Sequence, residues 1–377
     1  KVFYTIYIKG VDRATNVGIS DSLKNVTFDI TPPVFAFSSP LENSPVNTTA
    51  ISFSISEDLE IGSVTWVAVK GDDPLSPHIL SLNQGQKTKG DKSDLIFSEP
   101  PRLVDGVTYQ ISISGTDLAG NNGEDVFLDN ILFDTTPPEF VDTEPKDNAF
   151  IQEAFINYTL TEDLAEGKIY FENVGGSTDP KTTHMISLAG GKKTKGIQGG
   201  KLPKSFIRLV NGSVYNIRFE GVDAAGNKAP EVLIKDIVFD NEKPTLSIMK
   251  PVDNAFINTK EVSISLSEDL AEGTLILTSI AGSKDESSPH ILPLTEDLRK
   301  IGILEDRVFK NLDWVDGGTY KLEFSGIDFA GNIADQALVQ NITYDITNPV
   351  ISIDNLFKNI HINNNILSYT LSEPLAN

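Results

Sequence analysis

Acidic side chains recur along this chain at nearly constant intervals and could supply oxygen ligands to a cation. One motif places an Asp between an aromatic residue and a following proline, in the runs FDITPP, FDTTPP, FDNEKP and YDITNP. These residues are Asp29, Asp134, Asp240 and Asp345, at steps of 105, 106 and 105 residues. Carboxylate oxygens are ligands that hard cations prefer, so the chemistry depends on which other groups the fold brings beside them.

Two further motifs share this period. A Ser/Thr–Glu pair contributes Glu57, Glu162, Glu268 and Glu373, and a Gly–x–Asp motif contributes Asp12, Asp117, Asp223 and Asp328, each with an Asn four residues later. Both sets step by 105, 106 and 105 residues. Three motifs locked to one period indicate an array of internal repeats.

The period divides the 377-residue chain into units of the size of a small domain. We expect three whole repeats at 32–136, 137–242 and 243–347. They are flanked by the C-terminal half of one repeat at 1–31 and the N-terminal half of another at 348–377. Because the chain opens inside a strand-like run, Lys1–Tyr4, we expect it to be a section of a longer protein.

Each repeat has the sequence pattern of an all-β domain. Polar and apolar residues alternate in short runs such as Ile51–Ile55, Val262–Leu266 and Tyr320–Ser325, which are separated by clusters of Gly, Pro, Asn and Asp. Several such strands in about 100 residues predict an immunoglobulin-like (Greek-key) β-sandwich. The fold predicted for the chain is therefore an elongated array of tandem β-sandwich domains.

A tyrosine after a glycine turn helps to assign the strands. The run LVDGVTY ends at Tyr109, LVNGSVY at Tyr215 and WVDGGTY at Tyr320, and Tyr4 has the matching position in the leading half-repeat. A Tyr that opens the penultimate strand, strand F, predicts a tyrosine corner, in which the hydroxyl bonds back to the backbone.

This strand assignment places the acidic motifs at one end of each sandwich. The Gly–x–Asp motif becomes the F–G turn and the Ser/Thr–Glu motif opens the B–C turn, and these loops lie at the same pole of an immunoglobulin-like domain. The linker from the preceding repeat arrives there too, because strand A begins at that pole. Three acidic segments are thus expected to meet at each junction.

We therefore predict a Ca²⁺ site at each junction, since carboxylate, amide and carbonyl oxygens in a flexible cage suit Ca²⁺ better than Mg²⁺. The predicted ligands are Asp29, Glu57, Asp58, Asp117 and Asn121 at the first junction, Asp134, Glu162, Asp163, Asp223 and Asn227 at the second, Asp240, Glu268, Asp269, Asp328 and Asn332 at the third, and Asp345 and Glu373 in the last half-repeat. The alternative is that these residues form ordinary tight turns and solvated loops. The linker Asp beside proline favours the cation site, because a turn preference does not explain it.

Composition argues against several other sites and partners. The chain has no Cys, which excludes disulfides, and 53 Asp plus Glu against 31 Lys plus Arg give a net charge of −22. That charge disfavours nucleic acid and anionic membranes, and no apolar run is long enough for a transmembrane helix. His78, His184 and His290 occur once per repeat without the further ligands of a zinc site, so we predict a structural role.

The order of these motifs resembles the bacterial immunoglobulin-like (BIg) repeats of giant surface adhesins. A Tyr-led strand, the loop DLAGN and a final strand ending in DTTPP occur together in residues 109–138, and the similarity recurs over essentially the whole chain. The resemblance implies a long stalk, stiffened by calcium near its junctions, that holds a binding tip away from the cell. The departures are unusually long repeats, a first F–G loop without Gly (DRATN) and a third linker with the sequence DNEKP.

The additional length includes a basic run, GQKTKG at 85–90 and GKKTKG at 191–196. It lacks the pattern of a phosphate-binding loop, and we expect it to be the tip of a hairpin, with contact to a neighbouring acidic chain as the alternative.

The sequence as a whole predicts a non-enzymatic, extracellular stalk of a cell-surface adhesin, rigidified by Ca²⁺. Repetition of every polar motif favours a scaffold over a single catalytic centre. The alternative is a subunit of an extracellular filament or sheath whose repeats pack side by side. The expected partners are the other repeats of the same chain, with lateral copies, or a host or surface ligand bound outside this segment, as further candidates.

Overall fold

The computed structural model describes residues 2–203, 205–354, 361 and 366–374, and they form β-strands joined by turns. The helices in this part of the chain are two short 3₁₀ helices, η1 Gly190–Lys193 and η2 Glu296–Leu298. Neither has the length and apolar composition needed to cross a membrane. The half-repeat predicted at 348–377 lies partly outside the described residues.

The strands fall into groups that follow the sequence period. The leading group is β1 Val2–Ile6, β2 Lys9–Val11, β3 Val17–Ile19 and β4 Leu23–Phe28. The first whole repeat has strands A, A′, B, C, C′, E, F and G, which are β5 Phe35–Ser39, β6 Pro45–Val46, β7 Ile51–Ile55, β8 Leu59–Lys70, β9 His78–Ser81, β10 Gly90–Leu95, β11 Thr108–Asp117 and β12 Val126–Phe133. The second has β13 Phe140–Glu144, β14 Phe150–Ile151, β15 Phe155–Leu160, β16 Glu166–Gly176, β17 Thr183–Ser187, β18 Gly196–Lys201, β19 Ser213–Val222 and β20 Val232–Phe239. The third has β21 Leu246–Lys250, β22 Phe256–Ile257, β23 Glu261–Leu266, β24 Leu270–Gly282, β25 His290–Pro293, β26 Gly302–Val308, β27 Gly318–Asp328 and β28 Ala337–Tyr344, and it is followed by β29 Ile351–Ile353 and β30 Tyr369–Leu371.

Every whole repeat has the same two sheets. Strands A, B and E form a three-stranded antiparallel sheet in the order E–B–A. The other five strands form a sheet in the order A′–G–F–C–C′, in which A′ runs parallel to G. This strand order is that of an immunoglobulin-like sandwich, which confirms the predicted all-β fold class.

Each sandwich has its own apolar core between the two sheets. In strand F of the second repeat buried and half-buried positions alternate, as a strand with one face on the core requires. Tyr215, Ile217 and Phe219 are the large buried residues of that strand, and Phe219 meets Tyr158 of strand B edge-on at 6.0 Å between ring centroids. Burying such side chains stabilises the fold by about 1.5–3 kcal/mol each.

The tyrosine corner is present in all three whole repeats. The N–H of Val104 donates to the hydroxyl of Tyr109 over 2.9 Å. The matching bonds from Val210 to Tyr215 and from Val315 to Tyr320 are 3.0 and 2.8 Å long. The predicted bond from this hydroxyl back to the local backbone is thereby confirmed.

A buried carboxylate that the sequence analysis missed accepts two hydrogen bonds beside this corner. Tyr215 donates its hydroxyl to Asp179 over 2.6 Å, and His184 Nε2 donates to the same oxygen over 2.7 Å. The same arrangement occurs at Asp73 and Asp285. The histidines thus have the structural role predicted for them. A sequence signal existed, because an Asp lies five residues before each of these histidines.

The basic runs are not hairpin tips, contrary to the prediction. Residues 85–90 join strand C′ to strand E, which belong to different sheets, so the run crosses from one sheet to the other. Within the crossing, the N–H of Lys89 donates to Asp58 Oδ1 over 2.7 Å, and Lys87 C=O accepts from Leu59 N–H over 2.9 Å. The basic run is therefore attached to the B–C turn of its own repeat.

The corner network yields a stability prediction. Replacing Tyr215 by Phe removes a donor from the buried Asp179 carboxylate and an acceptor from Val210 N–H. We expect the free energy of unfolding of the second repeat to fall by about 1–3 kcal/mol. Tyr170→Phe is the control, because the Tyr170 hydroxyl donates to the exposed Glu220 and its loss should cost less. Hydrogen-exchange mass spectrometry of second-repeat peptides measures the stability of both variants. Equal losses of stability in the two would contradict a stabilising role for the Tyr215 hydroxyl.

The same carboxylates predict loss of stability in acid. Burial raises the pKa of Asp179, but hydrogen bonds from Tyr215 and His184 more than offset this and hold the pKa below its ordinary value. A lowered pKa contributes stability above the ordinary value of about 3.9, and this stability disappears as pH falls through the folded-state value. We expect the urea midpoint of the chain to drop between about pH 5 and pH 2. Asp179→Asn should reduce that drop. A pH profile in the variant identical to that of the native chain would argue against a contribution of the Asp179 carboxylate.

Candidate metal centre

The linker aspartates of the second and third junctions, Asp134 and Asp240, are each bonded to both of the repeats that they join. The N–H of Asp134 donates to the C=O of Val46, in strand A′ of the preceding repeat, over 2.9 Å. Its C=O accepts from Asn227 Nδ2, in the F–G turn of the following repeat, also over 2.9 Å. Asp240 makes the equivalent bonds at the third junction. The position of the linker is therefore determined from both sides.

A second group from the preceding repeat holds the linker through its turn between strands E and F. Asp105 accepts from the N–H and hydroxyl of Thr135 over 2.5 and 2.8 Å, and from the Thr136 hydroxyl over 2.8 Å. At the later linkers, Asn211 accepts the N–H of Asn241, and Asp316 accepts the N–H of Ile346 and the hydroxyl of Thr347. This role was not among those predicted from the sequence, although an Asp or Asn stands directly before the turn glycine of every tyrosine corner.

The F–G turn presents its aspartate in a fixed orientation. Asp223 Oδ1 accepts the N–H of Asn227 and Oδ2 accepts its Nδ2, both over 2.8 Å. Between them Gly226 has a φ of +94°, which glycine adopts without steric cost. Asp117 and Asp328 are held in the same way by Asn121 and Asn332.

Three carboxylates meet at each junction, one each from the linker, the B–C turn and the F–G turn. The clusters are Asp29, Glu57 and Asp117, then Asp134, Glu162 and Asp223, then Asp240, Glu268 and Asp328. In each cluster one oxygen of every residue lies within 4.8 Å of the others, and the F–G aspartate is buried. Two oxygens bound to one Ca²⁺ at about 2.4 Å are at most about 5 Å apart, so each cluster could hold a metal ion.

At the second and third junctions, burial and like charge disfavour the ionised form of the cluster glutamate. At the third junction, burial and the charges of Asp240 and Asp328 raise the pKa of Glu268 to about 7. At the second, burial and the charge of Asp134 raise the pKa of Glu162. A bound cation would favour the ionised carboxylates and reverse both shifts.

The other predicted ligands lie next to the clusters, and their side chains form hydrogen bonds with backbone groups of the chain. Asp58, Asp163 and Asp269 each accept a backbone N–H from the C′–E crossing over 2.7 Å, and they lie outside the three carboxylate clusters. These aspartates fix the B–C turn. The asparagines Asn121, Asn227 and Asn332 use their amide nitrogens to join the F–G aspartate to the linker carbonyl. They position the carboxylates.

The two residues predicted in the last half-repeat are only partly surrounded. Asp345 N–H donates to Ile257 C=O over 2.9 Å, as the linker aspartates do at the earlier junctions. Glu373 Oε1 is buried with no hydrogen-bond partner among the described residues.

Direct packing between successive repeats surrounds the carboxylates. At the second junction, Asn47 Nδ2 donates to Asn227 Oδ1 over 3.0 Å. At the third, the rings of Phe150 and Phe329 lie 5.6 Å apart, and Gln152 Nε2 donates to Gly331 C=O over 3.4 Å. Strand A′ and the residue after it therefore contact the F–G turn of the next repeat.

Comparison with known families identifies one match. Residues 103–234, about a third of the chain, match the family model of the bacterial Ig-like domain (group 3). The matched segment contains Asp134, Glu162 and Asp223, the whole carboxylate cluster of the second junction. This confirms the resemblance to bacterial immunoglobulin-like repeats. A comparison with curated protein sequences finds no match.

Several solved structures are similar at low sequence identity. The FN1–FN3 domains of chicken CNTN1 have 13% identity and a TM-score of 0.29, over 83% of this chain and 99% of that chain. A tetra-tandem repeat in the extending region of a large adhesion protein has 16% identity and a TM-score of 0.33, over 91% and 81%. A 1.5-MDa bacterial ice-binding adhesin has 12% identity and a TM-score of 0.28, over 84% and 100%.

The raised pKa of Glu268 predicts a pH effect in chain stripped of metal by a chelator. A pKa of about 7, above the ordinary value of about 4.3, means that the neutral carboxyl contributes stability at low pH. This contribution is lost as pH rises through about 7. We expect amide hydrogen exchange at the third junction to become faster between about pH 5 and pH 8. The expected rise exceeds the increase with pH that the exchange rate of an unprotected amide shows. Glu268→Gln should abolish the excess and the exposed Glu272→Gln should keep it; an excess that survives in Glu268→Gln would contradict the prediction.

Proposed function

We propose that this chain is part of the stalk of a bacterial cell-surface adhesin, in which Ca²⁺ bound at each junction stiffens a series of immunoglobulin-like domains. The domains of the proposal are residues 32–136, 137–242 and 243–347, with half-repeats at 1–31 and 348–377. The observation that carries the proposal is the convergence of three carboxylates within 4.8 Å at three successive junctions.

The donor set supports calcium over other divalent ions. Each cluster offers carboxylate oxygens, and no Cys or His is among its members. Zinc sites usually contain nitrogen or sulfur ligands, and Mg²⁺ requires a small octahedral cage that retains several waters. Ca²⁺ accepts six to eight oxygens in variable geometry, which suits ligands from three separate segments.

The position of the clusters supports a stiffening role. The preceding repeat holds the linker through Val46 and Asp105, as described above. A cation bound to Asp134 as well as to Glu162 and Asp223 would attach that linker to the following repeat. Bending at the junction would then separate a cation from a carboxylate, so the ion would restrict the angle between the repeats.

Repetition and charge support an extracellular scaffold over an enzyme. Equivalent clusters at three junctions suit a mechanical element, whereas catalysis requires only one site. Extracellular modules bind Ca²⁺ at about 10⁻⁴–10⁻³ M, so even weak junction sites would be filled outside the cell. A net charge of −22 favours a soluble rod whose copies repel each other.

Lateral packing into a filament has less support. The basic runs that could contact a neighbouring chain are bonded to the B–C turn of their own repeat, through Asp58 and Asp163. These backbone bonds give the runs a role within their own repeat that does not require a second chain.

Calcium titration of the whole chain tests the proposal. We expect three bound ions by isothermal titration calorimetry and a higher melting temperature with calcium. At a free calcium concentration one hundred times the dissociation constant, each site should add about 2.7 kcal/mol of stability. Glu162→Gln should remove one ion from the stoichiometry, because it deletes one charge of the second cluster. Its neighbour Asp163→Asn is the matched control and should keep all three, since Asp163 holds the turn.

Small-angle scattering provides the second readout of the same experiment. With calcium, the chain should be extended and its distribution of interatomic distances should correspond to a narrow range of shapes. After chelation, it should sample bent forms. The Glu162→Gln variant should show intermediate flexibility at saturating calcium. Identical scattering with and without chelator would eliminate the stiffening role even if ions bind.

A further inference from the structure

The second repeat has an apolar pocket at the side of its sandwich, away from the junctions. The pocket has a volume of about 470 Å³ and lies between the edge strands C′ and E. Its floor is formed by Ile156, Tyr158 and Ile169, and Met185 and Phe206 are at its mouth, 50% and 69% exposed. Pockets for small molecules have volumes of about 300–1,000 Å³ and mostly apolar linings, and this pocket meets both criteria.

A missing aromatic side chain explains the opening. In the first and third repeats a Phe stands seven residues after the glycine that begins strand E. These residues, Phe97 and Phe309, are 7% exposed and belong to the cores of their sandwiches. The same position in the second repeat is Pro203, which lines the pocket. The second sandwich therefore lacks a phenyl ring that its neighbours bury.

A change in strand register leaves a second gap. In the first repeat the pairing of strands B and E shifts between Lys92 and Leu95, so that Leu95 lies opposite the core residue Ile51. In the second repeat the pairing is regular, and Gly200 lies opposite the equivalent core residue Ile156. Because Gly200 has no side chain, nothing from strand E covers Ile156 at this position.

The rim of the pocket carries positive charge in an otherwise acidic chain. Lys192 and Lys201 line it, and its lining includes no Asp or Glu among the described residues. Lys192 C=O accepts the Tyr158 hydroxyl over 2.8 Å, which fixes the ring in the floor. Lys201 Nζ lies 2.5 Å from Glu153, and both side chains are solvent-exposed, so this ion pair can exchange for another anion at small cost.

We propose that this pocket binds a small aromatic anion, with its ring system inside and its acidic group at Lys192 and Lys201. The same sandwich accommodates a buried phenyl ring in the first and third repeats, so a planar ring fits the space that Pro203 leaves open. Tyr158 and Phe206 offer aromatic edges and faces for contact with it. The volume exceeds that of one phenyl ring, and a molecule with two linked or fused rings fills it better.

Fluorescence titration of the whole chain with 1-anilinonaphthalene-8-sulfonate tests the proposal, because this probe combines linked aromatic rings with a sulfonate. We expect one saturable site per chain. Pro203→Phe restores the ring of the other repeats and should weaken binding at least tenfold. Lys201→Glu should weaken it several-fold, whereas the control Lys181→Glu, an exposed lysine of the same repeat outside the lining, should not. The uncharged analogue N-phenyl-1-naphthylamine should bind at the same site more weakly.

A second filling variant keeps the test decisive if Pro203→Phe does not fold. Ile186→Phe places a ring in the pocket from strand C′ and should also abolish saturable binding, with circular dichroism confirming the sheet content of each variant. Absence of a saturable site in the native chain would overturn the proposal. A folded filling variant that binds the probe as tightly as the native chain would overturn it too. So would a loss of affinity in Lys181→Glu as large as that in Lys201→Glu. Binding should persist with chelator, which separates this site from the junction clusters.

Discussion

The aspartate of the linker is the residue on which the geometry of each junction depends. At the second and third junctions its backbone N–H is bonded to strand A′ of one repeat and its C=O to the F–G asparagine of the next, while its side chain joins the carboxylates of the following repeat. A linker fixed at both faces cannot rotate freely about its own bonds. The acidic groups of two other loops are thereby held close together, although like charges repel each other.

The junctions, unlike the sandwich cores, bring several carboxylates together, and the repulsion between them makes the stability of a junction depend on whether that charge is neutralised. Each sandwich is stabilised by its apolar core and by a buried Asp that accepts from a tyrosine and a histidine, groups that need no external ion. At the junction, burial and like charge raise the pKa of Glu268 to about 7, so the ionised form is disfavoured near neutrality. A bound cation or a proton would compensate this charge at the junction, whereas the apolar cores of the sandwiches contain no such cluster among the described residues.

Repeats that share a scaffold differ where a side chain can be lost without breaking the core. Pro203 and Gly200 open one sandwich at its edge, between strands that have no neighbour on that side. The corresponding change on a central strand would remove contacts from the middle of the core, at a cost of about 2–5 kcal/mol per large residue. Edge positions of a repeated sandwich are therefore where one repeat can differ from the others in the surface that it presents.

The period, strands B and F and the three segments that meet at each junction could be predicted from the sequence, because alternation, turn residues and repetition are local properties of the chain. The sequence could not separate Glu57, in the cluster, from its neighbour Asp58, which accepts a backbone N–H from the C′–E crossing. It also missed Asp179 and the gap opposite Ile156. Only the tertiary structure decided these points, since the partner of a side chain depends on the path of distant segments and on the register between strands.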